Sequence, residues 1–219
     1  MNKQTEIKHH LTDDLLMGYS AGALPEAFNV VVATHISLCD ECRARLGSFD
    51  AVGGSVMENE DGVAMSDDSL AAVMAMIEET PDTPVAVPSP RTSSIFPSPL
   101  QEYVNGSLDD VKWRKIGGGV SQAILPTSKG ATVRLLKIPA GTAVPDHGHR
   151  GTELTLVLQG AFKDEHDRFG TGDIEVANED MHHTPVAEEG LDCIFLSATD
   201  APLKFNGLLP RIAQRFVGI

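Results

Sequence analysis

The sequence predicts a two-module protein, an α-helical N-terminal part joined to an all-β C-terminal part. Three observations predict it. Residues 1–79 carry capped, amphipathic helical patterns, residues 80–99 include six prolines, and the rest breaks into short β-branched runs separated by glycine and proline. The expected organisation is a helical domain over 1–79, a semi-extended linker over 80–99 and a β-sandwich or barrel over 100–219. At 219 residues the chain is long enough to bury a sizeable core.

Thr12-Asp13-Asp14 supplies an N-cap and an acidic first turn for a helix through LLMGYSAGAL, which should stop near Leu24, before Pro25. Pro25 fits the first turn of a second helix, PEAFNVVVATHISL, with Phe28, Val31 and Val32 buried. A third helix is expected from about Asp40 through Asp50, with Leu46 and Phe49 inward and Gly53-Gly54 ending it. Residues 58–64 read as a loop. Ser66-Asp67-Asp68 then caps a fourth helix, SLAAVMAMIEE, whose Leu70, Val73, Met74 and Ile77 form an i, i+3, i+4, i+7 stripe. That stripe needs a cover, either the same bundle or a groove on a partner protein. Beyond the linker, VKWRKI, SQAILPT, ATVRLLKIPA, ELTLVLQGAF, DIEVA, LDCIFLSAT and LKFNGLL are the expected strands. Trp113 is expected to anchor the core, and Cys193 to be a buried small hydrophobe.

Two stretches carry chemistry. The first is His35-Ile36-Ser37-Leu38-Cys39-Asp40-Glu41-Cys42, an H-x3-C-x2-C pattern holding two of the three cysteines. His35 and Cys39 lie one helical turn apart, and the two-residue spacer lets Cys42 face the same ion. Imidazole and thiolates are the donors of a tetrahedral zinc site, and the fourth could come from His9 or His10. A thioredoxin-like redox pair is a weaker reading, because it needs a strand leading into the motif. The second stretch runs from Gly141 through His147, His149 and Glu153 to Gly160. On a strand His147 and His149 point the same way, Glu153 adds an oxygen, and His183 is the choice for a third imidazole. Such a set suits Zn²⁺ or another divalent transition metal such as Mn²⁺, Fe²⁺ or Ni²⁺.

Charge narrows the partners. Of the net −14, residues 1–90 contribute −11, from 15 acidic against 4 basic side chains. Direct nucleic-acid binding, which draws its affinity from Lys and Arg on phosphates, is disfavoured; the acidic surface suits a basic protein partner or serves solvation alone. No run approaches ~18 apolar residues, so no membrane span is expected. The N-terminus lacks an apolar signal region and the few cysteines suit a reducing compartment, which together predict a cytoplasmic protein.

The pattern G-x5-H-x-H-x3-E-x6-G resembles the first cupin motif at every defining position. The second cupin motif is matched at Gly172 and His183, whereas Asn178, Asp180 and Ala187 replace its Pro, Gly and Asn. The H-x3-C-x2-C stretch resembles the zinc-binding anti-sigma domain. In this order, with CDECRARLGSFDAVGGS and GGGVSQAILP, the two modules resemble ChrR-type anti-sigma factors over nearly the whole chain. The resemblance implies a cupin double-stranded β-helix at the C-terminus. It further implies structural zinc on His10, His35, Cys39 and Cys42, and a cupin metal on His147, His149, Glu153 and His183. The implied partner is an extracytoplasmic-function sigma factor, held 1:1 away from core RNA polymerase; the stripe of Leu70, Val73, Met74 and Ile77, read from its own periodicity, would supply the apolar anchors. Release in response to an oxidative signal such as singlet oxygen, with the cupin needed for the response, is part of the same expectation. The competing expectation is a dioxygenase-like cupin enzyme with an accessory helical domain.

Overall fold

The computed structural model describes residues 6–79, 95–104 and 106–205. Most of the proline-rich stretch and the end of LKFNGLL therefore lie outside the described residues. α1 (Asp13–Ser20) is capped by Thr12, whose Oγ1 accepts the Leu15 N–H at 3.4 Å. It stops at Ser20, short of Leu24. Gly22, at φ +64°, turns the chain there, its N–H donating to the Tyr19 carbonyl at 3.0 Å. α2 (Glu26–Leu38) starts behind Pro25 as expected. α3 (Asp40–Glu58) runs straight through Gly53-Gly54. Each glycine costs about 1 kcal/mol relative to alanine, too little to break a helix with no proline in it. α4 (Ser69–Glu79) buries none of its residues. α5 (Ser98–Val104) begins inside the proline-rich segment, where Phe96 and Leu100 are fully buried.

The β module contains β1 (Arg114–Gly117), β2 (Val120–Ile124), β3 (Thr132–Ile138), β4 (His147–Gly148), β5 (Glu153–Gln159) and β6 (Ala161–Lys163). It continues with β7 (Arg168–Gly170), β8 (Ile174–Ala177), β9 (His182–His183), β10 (Val186–Ala187), β11 (Cys193–Thr199) and β12 (Lys204–Phe205). A six-stranded antiparallel sheet has the order β1-β2-β3-β11-β5-β8. Two three-stranded sheets, β10-β6-β7 and β12-β4-β9, complete the barrel.

Strand alternation sorts the large sheet into two buried faces. Val133, Leu135, Leu154, Leu156, Ile174 and Leu196 face outward into one core with Leu16, Phe28 and Val31 of the helices. The interior face is divided. One half is apolar, with Ile138, Val157, Phe162, Phe169, Cys193 and Phe195. The other half is polar, and the register places Arg134 opposite Ser197, Ser197 opposite Thr155, and Thr155 opposite Glu175. Burial pushes the Cys193 thiol up to about 12, so it behaves as an inert packing group. Trp113 is only half-buried, at the rim of the shared core rather than at its centre. Among the described residues the two modules are one packed body.

Candidate metal centres

The first centre forms where α2 ends and α3 begins. Cys39 sits between the two helices with extended backbone, and its Sγ accepts the Cys42 N–H at 3.4 Å as the N-cap of α3. His35, one turn back on α2, places Nε2 3.3 Å from Cys42 Sγ. His10 comes from the segment ahead of α1, with Nδ1 3.3 Å from Cys39 Sγ and 3.8 Å from Cys42 Sγ. The four donor atoms all lie within 4.8 Å of one another. Nitrogen and sulfur on a tetrahedral zinc, at about 2.0 and 2.3 Å, would stand about 3.6 Å apart, close to the separations seen. Burial, then the neighbouring His10, hold His35 down to about 4, so its ring is neutral and free to ligate. Burial raises the Cys42 thiol to about 11, a group that only a bound cation would hold as thiolate. His10 Nε2 lies 3.3 Å from Glu41 Oε2, a carboxylate partner of the kind that orients metal-binding histidines.

His9, the other histidine left open by spacing, points elsewhere. Its Nε2 is 3.1 Å from Asp167 and its ring lies 4.3 Å from that of Phe169, on the β module.

The second centre lies in the polar half of the barrel. β4 and β9 pair so that His147 stands opposite His183. Their Nε2 atoms are 3.2 Å apart, a separation suited to two imidazoles on one ion. His147 Nδ1 donates to the Pro145 carbonyl at 2.9 Å, which leaves Nε2 as the lone pair facing inward. Asp164 Oδ2, at 2.9 Å, fixes His183 Nδ1 in the same way, and the buried Glu175 Oε1 lies 3.2 Å from that nitrogen. His149 Nδ1 lies 3.1 Å from Glu153 Oε2, but neither atom has a hydrogen-bond partner, nor has His149 Nε2. Buried polar atoms left unpaired in a ring of three histidines fit a cation as their missing partner. Burial disfavours the Glu153 charge, yet His149, His147 and Ser197 outweigh it and hold the carboxyl at about 2. Its Oε1 accepts from Ser197 Oγ at 2.6 Å. The residues present therefore fit a divalent metal at both places. His147→Ala is expected to remove one equivalent of bound metal from the barrel and leave that of the helical centre, as read by metal analysis of the purified chain.

Sequence reasoning missed Asp164, Glu175 and Asp173. A charged residue in register with buried positions of a strand, as Glu175 is in DIEVA, was the available signal. Leu70, Val73, Met74 and Ile77 of the α4 stripe are all exposed, 74% in the case of Leu70, and the bundle does not cover them.

Comparison with known proteins agrees with this geometry. Residues 101–201 match the family model described as the ChrR cupin-like domain. The chain is 61% identical over 213 residues to the anti-sigma-E factor ChrR of Cereibacter sphaeroides, covering 97% of this chain and 99% of that protein. It also superimposes on the crystal structure of Rhodobacter sphaeroides SigE in complex with the anti-sigma ChrR. There the TM-score is 0.80 at 61% identity, covering 89% of this chain and 100% of that one. With a His2Cys2 cluster on the helical module, a three-histidine cluster in a cupin barrel and this identity over nearly the whole chain, the chain belongs to the ChrR family of anti-sigma factors.

Proposed function

We propose that this chain binds an extracytoplasmic-function sigma factor 1:1 in the cytoplasm, and that the complex keeps that factor from core RNA polymerase. The observation that carries the reading is α4, a helix with an apolar stripe that none of the described residues buries. Anionic residues dominate the helical module, which suits a basic partner surface rather than nucleic acid. Among the described residues no helix is long and apolar enough to cross a membrane. Zinc is the fitting ion for the His2Cys2 centre, and its role there is structural, since four protein ligands leave no open position. The barrel centre takes zinc or another divalent transition metal and serves the response to an oxidative signal, singlet oxygen being the expected one.

The packing suggests how the two centres communicate. The turn between β7 and β8 is the junction. Asp173 Oδ1 accepts the backbone N–H groups of Lys8 (2.6 Å) and His9 (3.0 Å), and the Ile174 N–H donates to the His9 carbonyl at 3.3 Å. His35 faces the backbone of Gly172 from the other side. At Gly172, with φ +94°, a Cβ would come within 2.7 Å of Ile7, so only glycine permits this approach. Two residues past Asp173 along β8, Glu175 brings its carboxylate to 3.2 Å from the His183 ring. A shift of His183 thus reaches His10 through one short strand.

Asp173→Ala removes a buried acceptor from three N–H groups, those of Lys8, His9 and Gly170. At about 1–3 kcal/mol for each orphaned group, the N-terminal segment should detach. The helical metal is then expected to pass to a chelator at least ~10-fold faster, about 1.4 kcal/mol, while the barrel metal stays. An unchanged transfer rate would sink the junction. The proposed function itself is tested by transcription in vitro, where the chain should inhibit holoenzyme formed with its sigma factor but not holoenzyme with the housekeeping one.

A further inference from the structure

We propose that the polar half of the barrel is a binding site for a small monocarboxylate, gripped by the guanidinium of Arg134. Arg134 is 4% exposed, on the interior face of β3. A guanidinium stays charged and carries five N–H donors, and burying one without partners is costly. Among the described residues its polar contacts are one hydrogen bond, from Nη1 to Gln122 Oε1 at 3.1 Å, and a longer-range attraction to Glu153. Glu153 attracts it without pairing directly: its Oε1 accepts from Ser197, its Oε2 lies against His149, and neither oxygen forms an ion pair with the guanidinium. Among the described residues the remaining donors of the fork have no hydrogen-bond acceptor. By register Arg134 stands beside Ser197, and Ser197 beside Thr155, on the interior face in the polar half of the barrel.

The chemistry of the missing acceptor follows from the donor. A planar fork matches a carboxylate with two parallel hydrogen bonds, which a spherical halide cannot accept. Its size follows from the packing. Ile138, Val157, Phe162 and Phe195 fill the other half of the interior, so a long apolar tail has nowhere to go. The fitting ligand is therefore a short monocarboxylate lying between Arg134 and the histidine centre. The inference rests on the barrel alone and not on sigma-factor binding, so the two can fail separately.

The test is calorimetric titration of the full, metal-loaded chain with sodium acetate, with sodium chloride at matched ionic strength as the control. Saturable acetate binding is expected. In Arg134→Met it should weaken at least ~10-fold, and Arg134→Lys, which keeps the buried charge but loses the fork, should weaken it by a smaller factor. Cooperative thermal unfolding of each variant checks that it is folded, and the lysine variant carries the test if the methionine variant is not. Two results overturn the proposal. One is acetate heat no different from chloride in the parent chain. The other is acetate affinity in the folded variants equal to that of the parent, which would assign the anion to the metal alone.

Discussion

Cys39→Ser or Cys42→Ser is expected to abolish zinc binding at the helical centre and sigma-factor binding in the same step. Both sulfurs are buried, 3% and 0% exposed, and both lie within reach of His10. A serine hydroxyl stays protonated at neutral pH and is a poor zinc donor, so each variant leaves a three-ligand set. Structural zinc sites contribute about 10–16 kcal/mol of apparent binding energy, as large as the whole ~5–15 kcal/mol net stability of a typical domain. Cys39 has a second task, since its sulfur caps α3. Loss of the ion should therefore release the segment carrying His10 and fray the start of α3, while α2 remains held against the β-sheet. Metal analysis should find one equivalent fewer. Hydrogen exchange should show loss of protection in α1 and the first turns of α3, and binding to the sigma factor should fall beyond detection. A serine variant that keeps wild-type affinity would remove the metal from the account of partner binding.

The second large effect is expected on α4. Leu70 and Ile77, 74% and 61% exposed, lie on one stripe with Val73 and Met74. Among the described residues they are left exposed, so Leu70→Asp with Ile77→Asp should leave the melting temperature nearly unchanged. In the complex they would be anchors, each worth about 2 kcal/mol or more. Together the pair should weaken sigma binding at least ~100-fold. The combination of intact stability and lost affinity is diagnostic. A variant that binds normally would move the interface off this helix, to the exposed Val52, Val56 and Met57 of α3.

The residues that gather in both clusters were legible where their spacing is local. One turn of helix and a two-residue spacer place His35, Cys39 and Cys42, and strand alternation places His147 beside His149. The choice between His9 and His10 was not available from spacing, since neighbours in sequence differ only in direction. Resemblance favoured His10, and the structure points His10 at the sulfurs and His9 at Asp167.

The packing of the two modules into one core was not read from the sequence, although its signals were there. FNVVVA in α2 is apolar nearly all round, which a helix needs only when it is covered on more than one side. ELTLVLQ and CIFLSAT are buried at six of seven positions, the mark of strands enclosed on both faces rather than half-exposed. Gly53-Gly54 misled in the other direction. Glycine lowers helix stability without ending a helix, and α3 has no proline or cap there to stop it. Arg134 was hidden for a different reason. An arginine within ATVRLLKI reads as a solvent-facing position of an alternating strand, and only closure of the barrel turns that face inward.

The most direct test of the central claim is the mass and activity of the complex. The full chain, co-expressed with the extracytoplasmic-function sigma factor of its source cell, should be isolated and weighed intact by native mass spectrometry, with metal content measured on the same sample. The account predicts a 1:1 assembly carrying zinc at the helical centre, whose sigma factor fails to direct core polymerase until the chain is removed. A folded, zinc-loaded chain that forms no such assembly and leaves transcription untouched would contradict it.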